Sequence, residues 1–196
     1  MKDNWNIETK MIQGGFQPEN GEPRVLPIYQ STTYKYDSTD HVAKLFDLAV
    51  PGHMYSRISN PTVEALESKM AQLEGGVGAL CTSSGQSASM VSILNVCEAG
   101  DHFISLNTIY GGTYNLFAVT LKKMGVEVTF VDADASEAEV AEAIKDNTKA
   151  IFGESIANPA LKVMDIEKFA KIAHDHGIPL IVDNTFPTPF LCRPFE

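Results

Sequence analysis

The 196-residue chain is long enough for one substantial domain with its own core, and its 44% hydrophobic and 20% charged content is ordinary for a globular protein. A net charge of −10 argues against a generic nucleic-acid or anionic-membrane surface. No apolar run has the length of a membrane span, the opening MKDNWNIETK lacks a signal-peptide core, and the scattered Cys81, Cys97 and Cys192 form neither a disulfide framework nor a zinc motif; a cytoplasmic protein with reduced thiols and no metal is expected.

Residues 1–60 read as an irregular arm rich in Gly, Pro, Thr and Tyr, with one helix near DSTDHVAKLFDLA. Such a segment is too polar to hold a core alone and is expected to lie on another surface, such as a neighbouring subunit. From Asn60 the pattern becomes regular. Asn60 can cap a helix, Pro61 suits its first turn, TVEALESKMAQLE repeats apolar residues at helical spacing, and Gly75-Gly76 ends it. Next, VGALCT is expected as a short apolar strand and QSASMVSILNVC as a helix. HFISL then reads as a strand, TYNLFAVTLKKM as a helix closed by Gly125, EVTFV as a strand and SEAEVAEAIKD as a helix. TKAIFGE, DIEKFAKIAHDH, Gly177 and IPLIVD repeat the cycle. This alternation predicts a mostly parallel sheet covered by helices. In AHDHG, His174 and His176 fall on different faces of a helix and read as solvated residues rather than metal ligands.

In a parallel sheet, ligands bind beyond the carboxyl ends of the strands. The loop Thr82-Ser83-Ser84-Gly85-Gln86 runs into a helix and leaves backbone N–H groups free for a phosphate, although it matches neither a Walker loop nor G-x-G-x-x-G. Tyr110, on the turn Asn107 to Gly112, can stack on a planar ligand or pack on its own domain. In Glu154-Ser155-Ile156-Ala157-Asn158-Pro159, the proline biases Asn158 toward extended backbone, so that its amide can project. Asp183 leaves the apolar run PLIV, where it caps the next helix or meets a cation or several donors. Together these make an anion cradle, an aromatic stacker, an amide and a carboxylate. The set suits a planar, phosphorylated cofactor whose ring nitrogen an aspartate keeps protonated, a description that pyridoxal phosphate fits.

The stretches YSRISNPTVEALESKMAQLEGG, SSGQSAS, IYGGTYNLF, ESIANP and IVDNTFPTPFLCRPFE, in this order along nearly the whole chain, resemble the Cys/Met-metabolism family of pyridoxal-phosphate enzymes. The resemblance implies an α/β fold of the type I aminotransferase class, with a mostly parallel sheet and helices on both faces. The chain would comprise an arm at 1–60 serving a neighbouring subunit and an incomplete cofactor-binding domain at 61–196. It implies that Ser84, Gly85 and Gln86 hold the cofactor phosphate, with Tyr55 and Arg57 reaching it in the partner of a homodimer. Tyr110 would stack on the ring and assist proton transfer, and Asp183 would pair with the ring nitrogen. Asn158 would lie near the phenolic oxygen, with Glu154 and Thr185 in support. Gln86 stands where γ-lyases and synthases of the family have Met, and Gly112 where methionine γ-lyases have Cys. Gln86 in the loop, the LPIYQSTTYKY opening and LFDLAVPGHMYSRISNPT look most like sulfhydrylases that take O-acetyl-L-homoserine and sulfide to homocysteine and acetate in a dimer of dimers. A methionine or cystathionine γ-lyase is the alternative.

The family's Schiff-base lysine follows Asp-Asn-Thr in a Ser-x-Thr-Lys sequence that these residues do not contain; all twelve lysines precede Asp183. The expectation is thus about half of a family member, lacking that lysine, later strands and the C-terminal domain with its substrate-carboxylate arginine. Such a half would leave a sheet edge unpaired and would not turn over substrate alone. A non-catalytic module holding cofactor or a partner is the reading from a different class, and a nucleotide-binding domain has no motif in its favour.

Overall fold

The computed structural model describes residues 5–196; the first four residues of the expected arm, Lys2 among them, lie outside the described residues. The chain forms two compact units, one running to Cys81 and a second from Thr82 to Pro194.

The first unit carries α1 (Ile7–Gln13), α2 (Thr39–Phe46) and α3 (Pro61–Glu74). Both ends of α3 are formed as its sequence dictates. Asn60 Oδ1 accepts from Thr62 N–H at 2.9 Å, and Gly75 closes the helix in the left-handed region at φ 74°. The other arm of Asn60 donates to the carbonyl of Tyr29 at 2.9 Å, so one buried amide fixes both the helix start and the chain before it. The segment before Asn60 has one more helix than expected. At seven residues, α1 spans too few turns to display a period, and none of its residues is buried. It is held from outside, by Lys69 Nζ donating to Met11 O at 3.0 Å and by Gly15, where a β-carbon would meet Ala65 O at 2.1 Å.

One expected strand is absent. VGALCT makes no ladder with any strand, and Val77 and Leu80 are exposed. A short apolar run suggests a buried strand, but strand status comes from hydrogen bonds to a neighbour, and among the described residues no strand is paired with it.

The second unit begins with α4 (Gly85–Leu94) and then alternates: β1 (His102–Leu106), α5 (Gly111–Asn115), β2 (Glu127–Val131), α6 (Glu137–Glu142), β3 (Thr148–Glu154), α7 (Ile166–Asp175), β4 (Leu180–Asp183) and α8 (Thr188–Leu191). Helix α5 continues as a π-helical turn, Leu116–Leu121. The helix after β4 is the single turn α8, which holds Pro189 and has Pro187 rather than Asp183 at its N-cap position. Ser136 and Glu139 form a reciprocal capping box at the start of α6.

The pairings within the four-stranded sheet are parallel, in the order β2-β1-β3-β4. The chain leaves β1 toward β2 on one side and leaves β3 toward β4 on the other. With right-handed crossovers, α5 covers one face and α6 and α7 the other; α6 packs on α7 accordingly. The reversal lies between β1 and β3, and their carboxyl ends therefore diverge into a crevice.

Pleating sorts the core. Ser105 pairs with Phe152, so Phe103 and Phe152 share a face. Phe117 of the π-helical turn lies edge-on to both, at 4.9 Å and interplanar angles of 86° and 87°, and all three rings are fully buried. Ile104 and Ile151 point to the opposite face, into a cluster that includes Phe169 and Ile172 of α7.

Candidate cofactor site

Register brings two carboxylates side by side. Glu154 and Asp183 are partners across β3 and β4, the last residues of their strands, and pleating points both to the face that holds Phe152. They are treated differently. Glu154 is buried, and both its oxygens are used: Oε1 accepts from Tyr110 N–H at 2.6 Å and Oε2 from Asn158 N–H at 3.2 Å. It thereby ties the loop after β1 to the loop after β3. Burial raises its pKa above the usual carboxylate value, the two N–H groups oppose that rise, and neighbouring Asp183 adds to it. Asp183 is half-buried; its Oδ1 accepts from Thr185 N–H at 3.1 Å and from the Thr185 hydroxyl. Ser155 N–H holds the Asp183 carbonyl at 3.0 Å.

Across the crevice, α4 starts at Ser84, whose hydroxyl accepts from Ser87 N–H at 3.1 Å. The N–H groups of Gly85 and Gln86 belong to the first helical turn and have no acceptor within the helix. A β-carbon on Gly85 would meet nothing within 4 Å, so the backbone there is open to an approaching group. Gln86 Nε2 donates to Thr113 Oγ1 at 3.0 Å, which joins the start of α4 to the start of α5. Tyr110, 49% exposed, presents its ring between these ends.

These pieces enclose a cavity of about 330 Å³, within the range of small-molecule sites. Of the residues expected at a site, Ser84, Gly85, Gln86, Tyr110, Glu154, Asn158, Asp183 and Thr185 all line it. Tyr55 and Arg57 belong to the other unit, where the Arg57 guanidinium stands 5.4 Å from the centroid of the Tyr55 ring. Three lining residues went unanticipated: Thr113, Ile156 and Phe186. Thr113 sits three residues past Tyr110 and one helical turn in, and counting one turn beyond each strand-end loop would have found it. Ile156 and Phe186 are apolar residues in polar loops, without a chemical signal.

The cavity suits a molecule with an anionic end and a basic planar end. Free N–H groups and the positive end of the α4 dipole meet the first, and the Asp183 carboxylate meets the second. Pyridoxal phosphate has that form, and the residues present fit it. Among the described residues, no group of His, Cys, Asp and Glu side chains is arranged to hold a metal ion, and no helix is long and apolar enough to cross a membrane.

Comparison with known proteins gives a consistent result. The family model for Cys/Met metabolism PLP-dependent enzymes (PLP being pyridoxal phosphate) matches residues 8–196. The chain is 43% identical to the O-acetyl-L-homoserine sulfhydrylase of Leptospira meyeri, over all of this chain and 44% of that protein. It is 46% identical to the enzyme of the same name from Corynebacterium glutamicum, over 99% of this chain and 45% of the relative. The chain thus spans about half the length of the curated relatives it matches. Among solved structures, a candidate O-acetylhomoserine (thiol)-lyase of Campylobacter jejuni, carrying a pyridoxyl-lysine phosphate, superposes with a TM-score of 0.94. That match has 40% identity and covers 98% of this chain and 47% of that one. With the family model matched over nearly the whole chain, the chain belongs to the Cys/Met metabolism PLP-dependent enzyme family.

Proposed function

We propose that these residues form the cofactor half of a pyridoxal-phosphate-dependent γ-replacement enzyme that joins sulfide to O-acetyl-L-homoserine, giving homocysteine and acetate. The observation that carries this reading is the convergence of the Gly85 and Gln86 N–H groups, Tyr110, Asn158 and Asp183 on one cavity at the reversal of the sheet. Gln86 and Gly112 favour the sulfhydrylase over a γ-lyase, and the relatives named as sulfhydrylases support it.

When bound, the cofactor supplies an electron sink for bond cleavage at the substrate's α and β carbons. The protein's part is binding and proton control. Gly85 and Gln86 would hold the phosphate through backbone N–H groups, with Ser84 beside them. Tyr110 would cover one face of the ring and exclude water there. Asp183, oriented by Thr185, would keep a proton on the ring nitrogen by charge pairing. Asn158 would donate its side-chain amide to the phenolic oxygen. Glu154, its two oxygens already engaged, would act by holding Tyr110 and Asn158 in place. Tyr55 and Arg57, on the 1–60 arm, would complete the phosphate site of a neighbouring subunit in a cytoplasmic homo-oligomer, a dimer of dimers.

None of the lining residues is a lysine, so on this reading these 196 residues hold the cofactor without a covalent bond and do not process substrate alone. The test is a titration of the purified polypeptide with pyridoxal phosphate, followed by ultraviolet–visible absorbance, beside Asp183→Asn and Tyr110→Ala. Saturable binding weakened about tenfold or more by Asp183→Asn supports the assignment; binding indifferent to both substitutions would sink it. Homocysteine released by this polypeptide from O-acetyl-L-homoserine and sulfide would refute its inactivity.

A further inference from the structure

We infer that Ile156 is a specificity-determining residue of the cavity: its side chain seats the methyl group of the cofactor ring and favours a ring that carries one. That role rests on the functions proposed above for Asp183 and Asn158, and falls to a residue with no polar chemistry of its own.

The chain after β3 gives the cavity every second residue. Glu154, Ile156 and Asn158 line it, whereas Ser155 and Ala157 between them are buried and do not. That period of two is the alternation of extended backbone, carried past the end of the strand. A short antiparallel pairing holds it there. Ile156 faces Val163, Met164 N–H donates to Ser155 O at 3.1 Å, and Ala157 N–H donates to Lys162 O at 2.9 Å. A β-branched side chain on a backbone so fixed has few rotamers to choose from. From strand end to loop, this wall presents a carboxylate, an aliphatic side chain and an amide, in that order.

The order matches one edge of the ring. In pyridoxal phosphate the ring nitrogen, the carbon bearing the methyl group and the carbon bearing the phenolic oxygen are consecutive. With Asp183 at the nitrogen and Asn158 at the phenolic oxygen, the methyl group falls between the two. Glu154 is the register partner of Asp183, and between Glu154 and Asn158 the chain turns only Ile156 toward the cavity. A methyl group gains by leaving water for an apolar wall, and Ile156 supplies that wall where both neighbours are polar. Phe186, the other apolar residue of the loops lining the cavity, follows Asp183 and Thr185 on the far loop and lies outside this interval, which makes it the control.

The experiment uses this chain and two alcohols that cannot condense with surface lysines: pyridoxine phosphate, and its analogue with hydrogen in place of the ring methyl. Each is titrated, by its own fluorescence, into the parent, Ile156→Ala, Phe186→Ala and Asp183→Asn. The readout is the ratio of the two affinities within each protein, because a loosened cavity weakens both ligands alike and leaves the ratio unmoved. The parent should prefer the methylated ligand about three- to tenfold, and Ile156→Ala should bring the two within about twofold. Phe186→Ala should keep the parent's preference. Ile156→Val, smaller by one methylene and still β-branched, should fall between, and replaces the alanine variant if that one melts early. A ratio unchanged by Ile156→Ala and Ile156→Val would overturn the inference, and so would a ratio that collapses only in Phe186→Ala. In either case, weaker binding of both ligands by Asp183→Asn would leave the cofactor reading standing. Binding indifferent to Asp183→Asn would overturn that reading, and the role of Ile156 with it.

Discussion

The two ends of the sheet bury polar side chains to opposite purpose. At the amino end, His102 is fully buried, and its Nδ1 and Nε2 meet the hydroxyls of Thr148 and Thr129, each at 2.8 Å. Hydroxyls both donate and accept, so a neutral imidazole is satisfied completely and nothing polar is left over. At the carboxyl end, Glu154 is satisfied just as fully by two backbone N–H groups, yet its register partner Asp183, the first-turn N–H groups of α4 and one face of Tyr110 open on a cavity. A buried polar group is costly unless paired. An end that pairs everything internally is structural, whereas an end that pairs only its supporting groups is built to receive a ligand.

Both ends depend on the same centre, so the largest effect expected is one that erases the contrast. Phe117 joins β1 to β3 through two edge-on aromatic contacts and is fully buried. Phe117→Ala should cost about 3–5 kcal/mol in urea denaturation and loosen both ends together. A loss below about 1 kcal/mol would mean that the sheet does not rest on this stack.

Next in size is a change confined to the carboxyl end. Glu154→Ala leaves the N–H groups of Tyr110 and Asn158 without their acceptor, for an expected loss of about 1–3 kcal/mol. Unlike a core deletion, it should also weaken pyridoxal-phosphate binding, because two loops of the cavity lose their common anchor. Full cofactor affinity in a destabilised Glu154→Ala protein would separate the support from the site.

Much of this contrast could be read from residue order alone. The β–α alternation, the caps at Asn60, Gly75 and Ser136, and the short list of strand-end residues follow from local chemistry acting over a few positions. Eight of those residues do meet at one cavity. What stayed hidden depends on neighbours distant in sequence. VGALCT is apolar but has no pairing partner among the described residues, and α1 is too short to show a period and is tied to α3 by contacts distant in sequence. The satisfaction of Glu154 needs two loops brought together by register. His102 opens an apolar strand and attracts no notice until Thr129 and Thr148 are seen on either side of it.

The smallest effects should distinguish the two ends most sharply, because their pH signatures have opposite signs. Burial lowers the pKa of His102 below its ordinary 6.5, helped by the Lys145 charge and opposed by Glu127. Below pH 6.5 the unfolded chain therefore binds more protons than the native one, and stability contributed by this site is lost as pH falls toward the folded value. Glu154 behaves in the reverse sense. Its folded pKa is raised above 4.5, so from pH 4.5 upward the native state holds the extra proton, and stability falls as pH rises through that window. Urea titrations of the parent, His102→Gln and Glu154→Gln across these two windows would measure the slopes. His102→Gln should flatten the loss on acidification and leave the other slope intact; Glu154→Gln should do the converse. If both substitutions flattened the same limb, the ends would be titrating as one network through the strands between them, and the division into a closed end and a receptive end would have to be abandoned.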